Sequence, residues 1–230
     1  MTFRSKGGPQ RVLVVGASRG IGLELVRQYR ADGADVTGTA RGEDGLAAIR
    51  ALGATALELD VADPASSLEG FNVGGGGGFD VAIHCAGVYG PRLDAPHTPD
   101  RADFDAVMQA NVYGPMRVLP MLSKQLTPGA RLAVVSSRMG SIGSRSGSNG
   151  WLYRASKAAV NSVLKDMSIA LAGRAVCVAL HPGWVRTDMG GEGADLDASD
   201  SVRGLRQVLA GLTDADNGGF FNHDGSTIAW

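Results

Sequence analysis

The stretch Val12-Leu13-Val14-Val15-Gly16-Ala17-Ser18-Arg19-Gly20-Ile21-Gly22 decides how this chain folds. Four aliphatic residues in a row predict a buried strand, and Ile21, Leu25, Val26 and Tyr29 recur at helical spacing over Ile21–Arg30. The two are joined by a GxxxGxG turn. Its glycines let the backbone reverse tightly and leave the amides at the helix N-terminus open to a phosphate. A tight turn without a ligand is the plainer alternative. The position straight after the first strand, opening an amphipathic helix, favours the ligand.

The same alternation runs outward along the chain. Strands are predicted at Val36–Ala40, Ala54–Leu59, Asp80–Ile83, Arg131–Val135, Val176–Leu180 and near Phe220. Helices are predicted at Gly45–Leu52, Ala102–Leu126, Leu152–Leu171 and Ser199–Leu212. Apolar strands each followed by a helix give βαβ units, hence a parallel sheet covered on both faces. There is no internal repeat, and residues 1–230 read as one domain. The run Gly74–Gly78 reads as a flexible surface loop that shortens the third helix.

Composition narrows the function. With 22 basic and 23 acidic residues and a net charge of -1, there is no basic stripe for nucleic acid. Hydrophobic residues make up 44% of the 230, enough for a core without disulfides or metals. Cys85 and Cys177 show no CxxC or Cys/His spacing, the usage of a reduced, intracellular protein. Met1–Arg11 is polar and not a secretory signal, and no apolar run reaches bilayer length. A cytoplasmic protein without a membrane partner is expected.

The second strand ends Thr37-Gly38-Thr39-Ala40-Arg41, with no acid to hold the ribose hydroxyls of NAD. Arg41 there, joined by Arg19, can clamp a 2′-phosphate, so NADP(H) is favoured and NAD(H) stays possible. Each arginine taken singly can equally be a solvated charge. Asp60, closing the third strand before Val61, sits where an adenine amino group is held, or caps the next element.

Tyr153-Arg154-Ala155-Ser156-Lys157 places a phenol and an ammonium four residues apart on one helix face. The Lys157 cation, with oxidised nicotinamide nearby, favours the phenolate and brings Tyr153 from its ordinary pKa of about 10 toward working range. Ser136-Ser137 end the fifth strand at the carboxyl edge of the sheet, where ligands bind in such folds; a turn role is the alternative for Ser137. Asn111 is a mediocre helix residue followed by Gly114-Pro115, which suggests a kink. Such a kink frees a backbone carbonyl to hold a water leading protons to Lys157.

Gly16 to Gly22, Asp60, His84-Cys85-Ala86-Gly87, Asn111, Ser137, Tyr153 with Lys157, and Pro182-Gly183-Trp184-Val185-Arg186-Thr187 together resemble the short-chain dehydrogenase/reductase family over almost the whole chain. The resemblance implies a three-layer Rossmann-type α/β fold with a doubly wound parallel sheet and an Asn-Ser-Tyr-Lys tetrad. In that tetrad Ser137 orients a substrate carbonyl, Tyr153 exchanges the proton, and Lys157 tunes it and binds the nicotinamide ribose. It further implies cofactor contacts from Ser18, Gly20, Ile21, Val61, Ala86, Gly87, Pro182, Gly183, Val185 and Thr187, the last on the carboxamide. Ser137-Arg138-Met139-Gly140, Tyr153–Asn161, Arg186-Thr187-Asp188-Met189 and the ending Phe220–Trp230 are similar to the sniffer and C-factor-like carbonyl reductases. The expected activity is reduction of a carbonyl or oxidation of an alcohol. A homo-oligomer formed through Ala102–Leu126 and Leu152–Leu171 is implied as well. The alternative is a nucleotide-binding signalling protein on the same fold, whose expected signature, loss of Tyr153 or Lys157, is not present.

The chain departs from the family in two places, one being a Ser137-to-Tyr153 separation a little longer than in the wider family. In the other, His84-Cys85 stands where the family has Asn-Asn, and those asparagines mainly brace the sheet. His84 and His181 have no second ligand at metal spacing and read as satisfied packing residues; Cys85 reads as a small buried hydrophobe.

Overall fold

The computed structural model describes residues 8–66 and 78–230. Seven parallel strands form one sheet in the order β3-β2-β1-β4-β5-β6-β7. They are β1 (Arg11–Val15), β2 (Asp35–Ala40), β3 (Thr55–Glu58), β4 (Phe79–His84), β5 (Leu126–Val135), β6 (Ala175–His181) and β7 (Phe220–Asn222). The helices are α1 (Gly20–Ala31), α2 (Glu43–Ala51), α3 (Arg101–Met108), α4 (Gly114–Ser123), α5 (Trp151–Ala170) and α6 (Ala198–Gly211). Alternate residues along each strand serve opposite faces. Val12, Val14, Val81, Ile83, Val176 and Val178 join the core under α1, α2 and α6. Leu13, Val15, Ala82, Leu132, Val134 and Cys177 join the core under α4 and α5. The parallel sheet covered on both faces that the alternation predicts, and the doubly wound form that the resemblance implies, are the fold found.

Strand order reverses between β1 and β4, which splits the connections to opposite sides and opens a crevice at the carboxyl ends of those strands. β1 leads into that crevice through Gly16, held at φ 84°. A side chain at Gly16 would put its Cβ 2.6 Å from the Ala86 backbone, and one at Gly22 would collide with the Gly16 carbonyl. The turn is pinned to β2 by the Ala17 amide donating to the Thr39 carbonyl at 2.7 Å and the Gly16 amide donating to Thr39 Oγ1 at 3.1 Å.

The region expected as one long helix over Ala102–Leu126 is helical without a gap from Arg101 to Ser123, with a π-helical segment inside it and an end three residues early. α3 ends at Met108, one π-helical segment covers Gln109–Tyr113, and α4 stops at Ser123. Leu126 already belongs to β5, which is longer than the expected Arg131–Val135. Apolar periodicity continued past the true end because Leu122 is buried under the sheet and Leu126 packs beside it. Pro115 sits in the first turn of α4, straight after the π segment, where the sequence suggested a kink. The Gly74–Gly78 loop lies outside the described residues except for Gly78. Among the described residues no helix is long and apolar enough to cross a membrane.

Candidate active site

A cleft of about 490 Å³ opens at the switch point. Gly16, Ser18, Arg19, Gly20, Ile21 and Gly22 form one wall, with Arg41, Asp60 and Val61 at one end. Ala86, Gly87, Tyr153, Lys157, Pro182 and Thr187 form the other end. Of the expected cofactor residues, Gly183 and Val185 do not line it: Val185 is buried, and Gly183 packs on Leu196 and His223. Cys85, Ser136, Asp188 and Met189 line it without having been singled out as binding residues.

The cleft suits a dinucleotide on its own geometry. No side chain caps the α1 N-terminus and no acid sits in its first turn, so its free amides face the cleft with their partial positive charge. The close approach of Gly16 and Gly22 leaves room that any Cβ would fill. Both expected cations are present, and both are held by carboxylates. Arg19 pairs with Asp188 at 2.7 Å across the cleft, and Arg41 lies 3.9 Å from Asp60. Asp60 also takes the Ala62 amide at 2.9 Å, so it does cap its own turn while it lines the site.

At the other end stand the four residues expected as a tetrad, of which Tyr153 and Lys157 line the cleft. Tyr153 and Lys157 share the buried face of α5, and the Ser137 hydroxyl is close enough to Tyr153 to favour the ionised phenol. Ser137 Oγ accepts the Met139 amide at 3.2 Å, the turn role that the sequence offered as its alternative. Lys157 Nζ donates to the Val135 carbonyl at 3.0 Å. Asn111 is fully buried in the π segment. Its Oδ1 accepts the Val88 amide at 2.8 Å, and its Nδ2 donates to the Val88 carbonyl at 2.8 Å and to Ser156 Oγ at 2.9 Å. Ser156 in turn donates to the Tyr153 carbonyl at 2.8 Å. Asn111 thus ties the end of β4 to the turn of α5 that carries the tyrosine. A Cβ on Gly87 would lie 3.0 Å from Asn111 Oδ1 and 3.4 Å from Lys157 Nζ, which explains a glycine there.

Burial governs the charges. It pushes the Tyr153 phenol above its ordinary value; the Ser137 hydroxyl works against that, and Tyr89 and Cys85 work with it. Burial also pulls Lys157 down to about 8. The sequence suggested a phenol lowered by Lys157 together with oxidised nicotinamide; in the free protein burial raises it, and the phenol is held as an acid. Cys85 is a thiol pushed up to about 12 by burial, in keeping with an inert small side chain.

The two histidines depart from expectation. His84 is buried with neither ring nitrogen partnered, and His181 Nδ1 is unpartnered too. Burial holds His84 neutral, down at about 3, with Lys157 adding to the effect. They are packing residues, but not satisfied ones. No three His, Cys, Asp or Glu side chains converge as a metal would need among the described residues.

Tyr89 was missed by sequence reasoning. Its ring stacks on Tyr153 with centroids 4.5 Å apart at 21°, and a Cβ on Gly150 would collide with its hydroxyl. Only the folded chain brings residues so far apart in sequence together, and Tyr89 carries no local motif.

Comparison with known proteins agrees with this geometry. A family model described as enoyl-(acyl carrier protein) reductase matches residues 16–216. The C-signal protein of Myxococcus xanthus is 43% identical over 157 residues, 67% of this chain and 94% of that protein. Among solved structures, a short-chain dehydrogenase/reductase from Burkholderia multivorans with bound NADP superposes with a TM-score of 0.86 at 30% identity, covering 96% of this chain and all of that one. The carbonyl reductase Sniffer of D. melanogaster gives 0.86 at 27% identity, with the same coverage. A dinucleotide cleft ending on a Ser-Tyr-Lys cluster defines an oxidoreductase of the doubly wound class. The chain belongs to the short-chain dehydrogenase/reductase family.

Proposed function

We propose that this protein is an NADP(H)-dependent carbonyl reductase. The observation that carries the reading is Tyr153 beside the Ser137 hydroxyl, with Lys157 one helical turn away at the inner end of the Gly-rich cleft. The bound dinucleotide supplies the hydride. Ser137 orients the carbonyl oxygen, and Tyr153, kept protonated by its burial, donates the proton to that oxygen. Lys157 offers a positive charge beside the developing phenolate, and Asn111 fixes the helix turn that holds both. Arg19 and Arg41 select the phosphorylated cofactor by exchanging a carboxylate partner for the 2′-phosphate.

The test is NADPH oxidation followed by absorbance with a panel of aldehydes, ketones and quinones, with NADH and Tyr153→Phe alongside. Turnover that prefers NADPH and vanishes in the variant is expected. The identity to C-signal favours a second reading, in which cofactor occupancy controls a partner in signalling. Tight NADPH binding with no carbonyl reduced would favour that reading; failure to bind either dinucleotide would sink both.

A further inference from the structure

We infer that the substrate is a carbonyl compound carrying an anionic group, with Tyr89 packing against its flat or apolar part and Arg92 reading the charge. This deepens the reductase reading and rests on it. Arg92 is joined to the proton donor in two short steps. Its guanidinium carbon lies 4.9 Å from the Tyr89 ring centroid, and that ring lies 4.5 Å from the ring of Tyr153. Arg92 Nη2 also reaches the Met189 carbonyl at 3.3 Å, and Met189 lines the cofactor cleft. The arginine therefore bridges the loop after β4 and the segment after β6, over the end of the cleft where Tyr153 and Ser137 stand.

Its charge is uncommitted. None of the ion pairs among the described residues uses Arg92, nor Arg138 or Arg145 from the loop after β5. From Ala106 to Lys165 the chain contains eight Lys or Arg and no Asp or Glu, and this stretch supplies Ser137, Tyr153 and the loop between them. Of the acids on the loops around it, Asp94 accepts the Gly150 amide at 3.2 Å, and Asp188 pairs with Arg19. Glu192 and Asp195 lie further along the chain. A guanidinium laid on an aromatic ring is partly desolvated and keeps its planar fork for a carboxylate. Neutral carbonyl compounds gain nothing from it.

The test compares 4-formylbenzoate with its methyl ester, which share ring and aldehyde and differ in charge. With NADPH, the acid is expected to show a kcat/KM about tenfold above the ester, carried by KM, and eroded by salt. Arg92→Gln should bring the ratio near one, Arg92→Lys should keep most of it, and neither should move the KM for NADPH. An ester as good as the acid in the wild type, or a preference that survives Arg92→Gln, overturns the inference. Reduction of both compounds without preference leaves the reductase reading standing alone. Should neither be reduced, binding of 4-(hydroxymethyl)benzoate, followed by tryptophan fluorescence, decides: weaker binding in Arg92→Gln supports the anion site, and equal binding refutes it.

Discussion

Burial moves Tyr153 and Lys157 in opposite directions, and the two have opposite consequences with pH. Tyr153 stays a phenol through the neutral range, whereas Lys157 gives up its proton near 8. Reduction is therefore expected to hold at neutral pH and fall as pH rises through about 8, and Lys157→Met should be slow throughout and lack that limb. A stopped-flow profile of the hydride step checks it. His84 acts on stability instead. Its folded-state pKa of about 3 lies below the ordinary 6.5, so the unfolded chain takes the proton first. Stability should then drop as pH falls from about 6.5 toward 3. Urea midpoints at pH 7 and pH 5 should differ less in His84→Asn than in wild type. The tetrad was legible because Ser137 at a strand end and the four-residue spacing of Tyr153 and Lys157 are local patterns. Tyr89, the unpartnered ring of His84 and the unpartnered Nδ1 of His181 were not, since each depends on neighbours brought by other elements.

The turn between β1 and α1 carries its function in what its glycines exclude. Gly22→Ala would force a Cβ into the Gly16 carbonyl, so it is expected to cost about 1–3 kcal/mol by overpacking and to abolish NADPH binding, measured by denaturation and by cofactor titration. The segment after β6 meets that turn through Asp188 and Arg19. Removing the carboxylate while keeping its shape, in Asp188→Asn, frees Arg19 for a phosphate. NADPH should then bind a few-fold more tightly and NADH no differently, in parallel fluorescence titrations. Element identity was readable from period; element ends were less so. Leu126 continued an apolar rhythm into β5, and a single wider turn at Gln109–Tyr113 is too short to register as a period of its own.

At the scale of the molecule, the alternation of strands and helices predicted a parallel sheet, and the reversal between β1 and β4 then places the cleft. Phe104, Tyr113 and Met116 on the α3–α4 stretch and Ile169 on α5 are exposed despite their size. Sedimentation of the wild type is expected to show a homo-oligomer, and Met116→Glu or Ile169→Asp to shift it toward monomer. The π segment between α3 and α4 bears on engineering this chain. Such a segment amounts to one surplus residue in a helix, so deleting Ala110 would close the ladder while leaving both flanking helices in register. The shortened protein should melt higher and turn over nothing, because Asn111 would swing away from Val88 and Ser156. A thermal-stability screen alone would rank that deletion as an improvement.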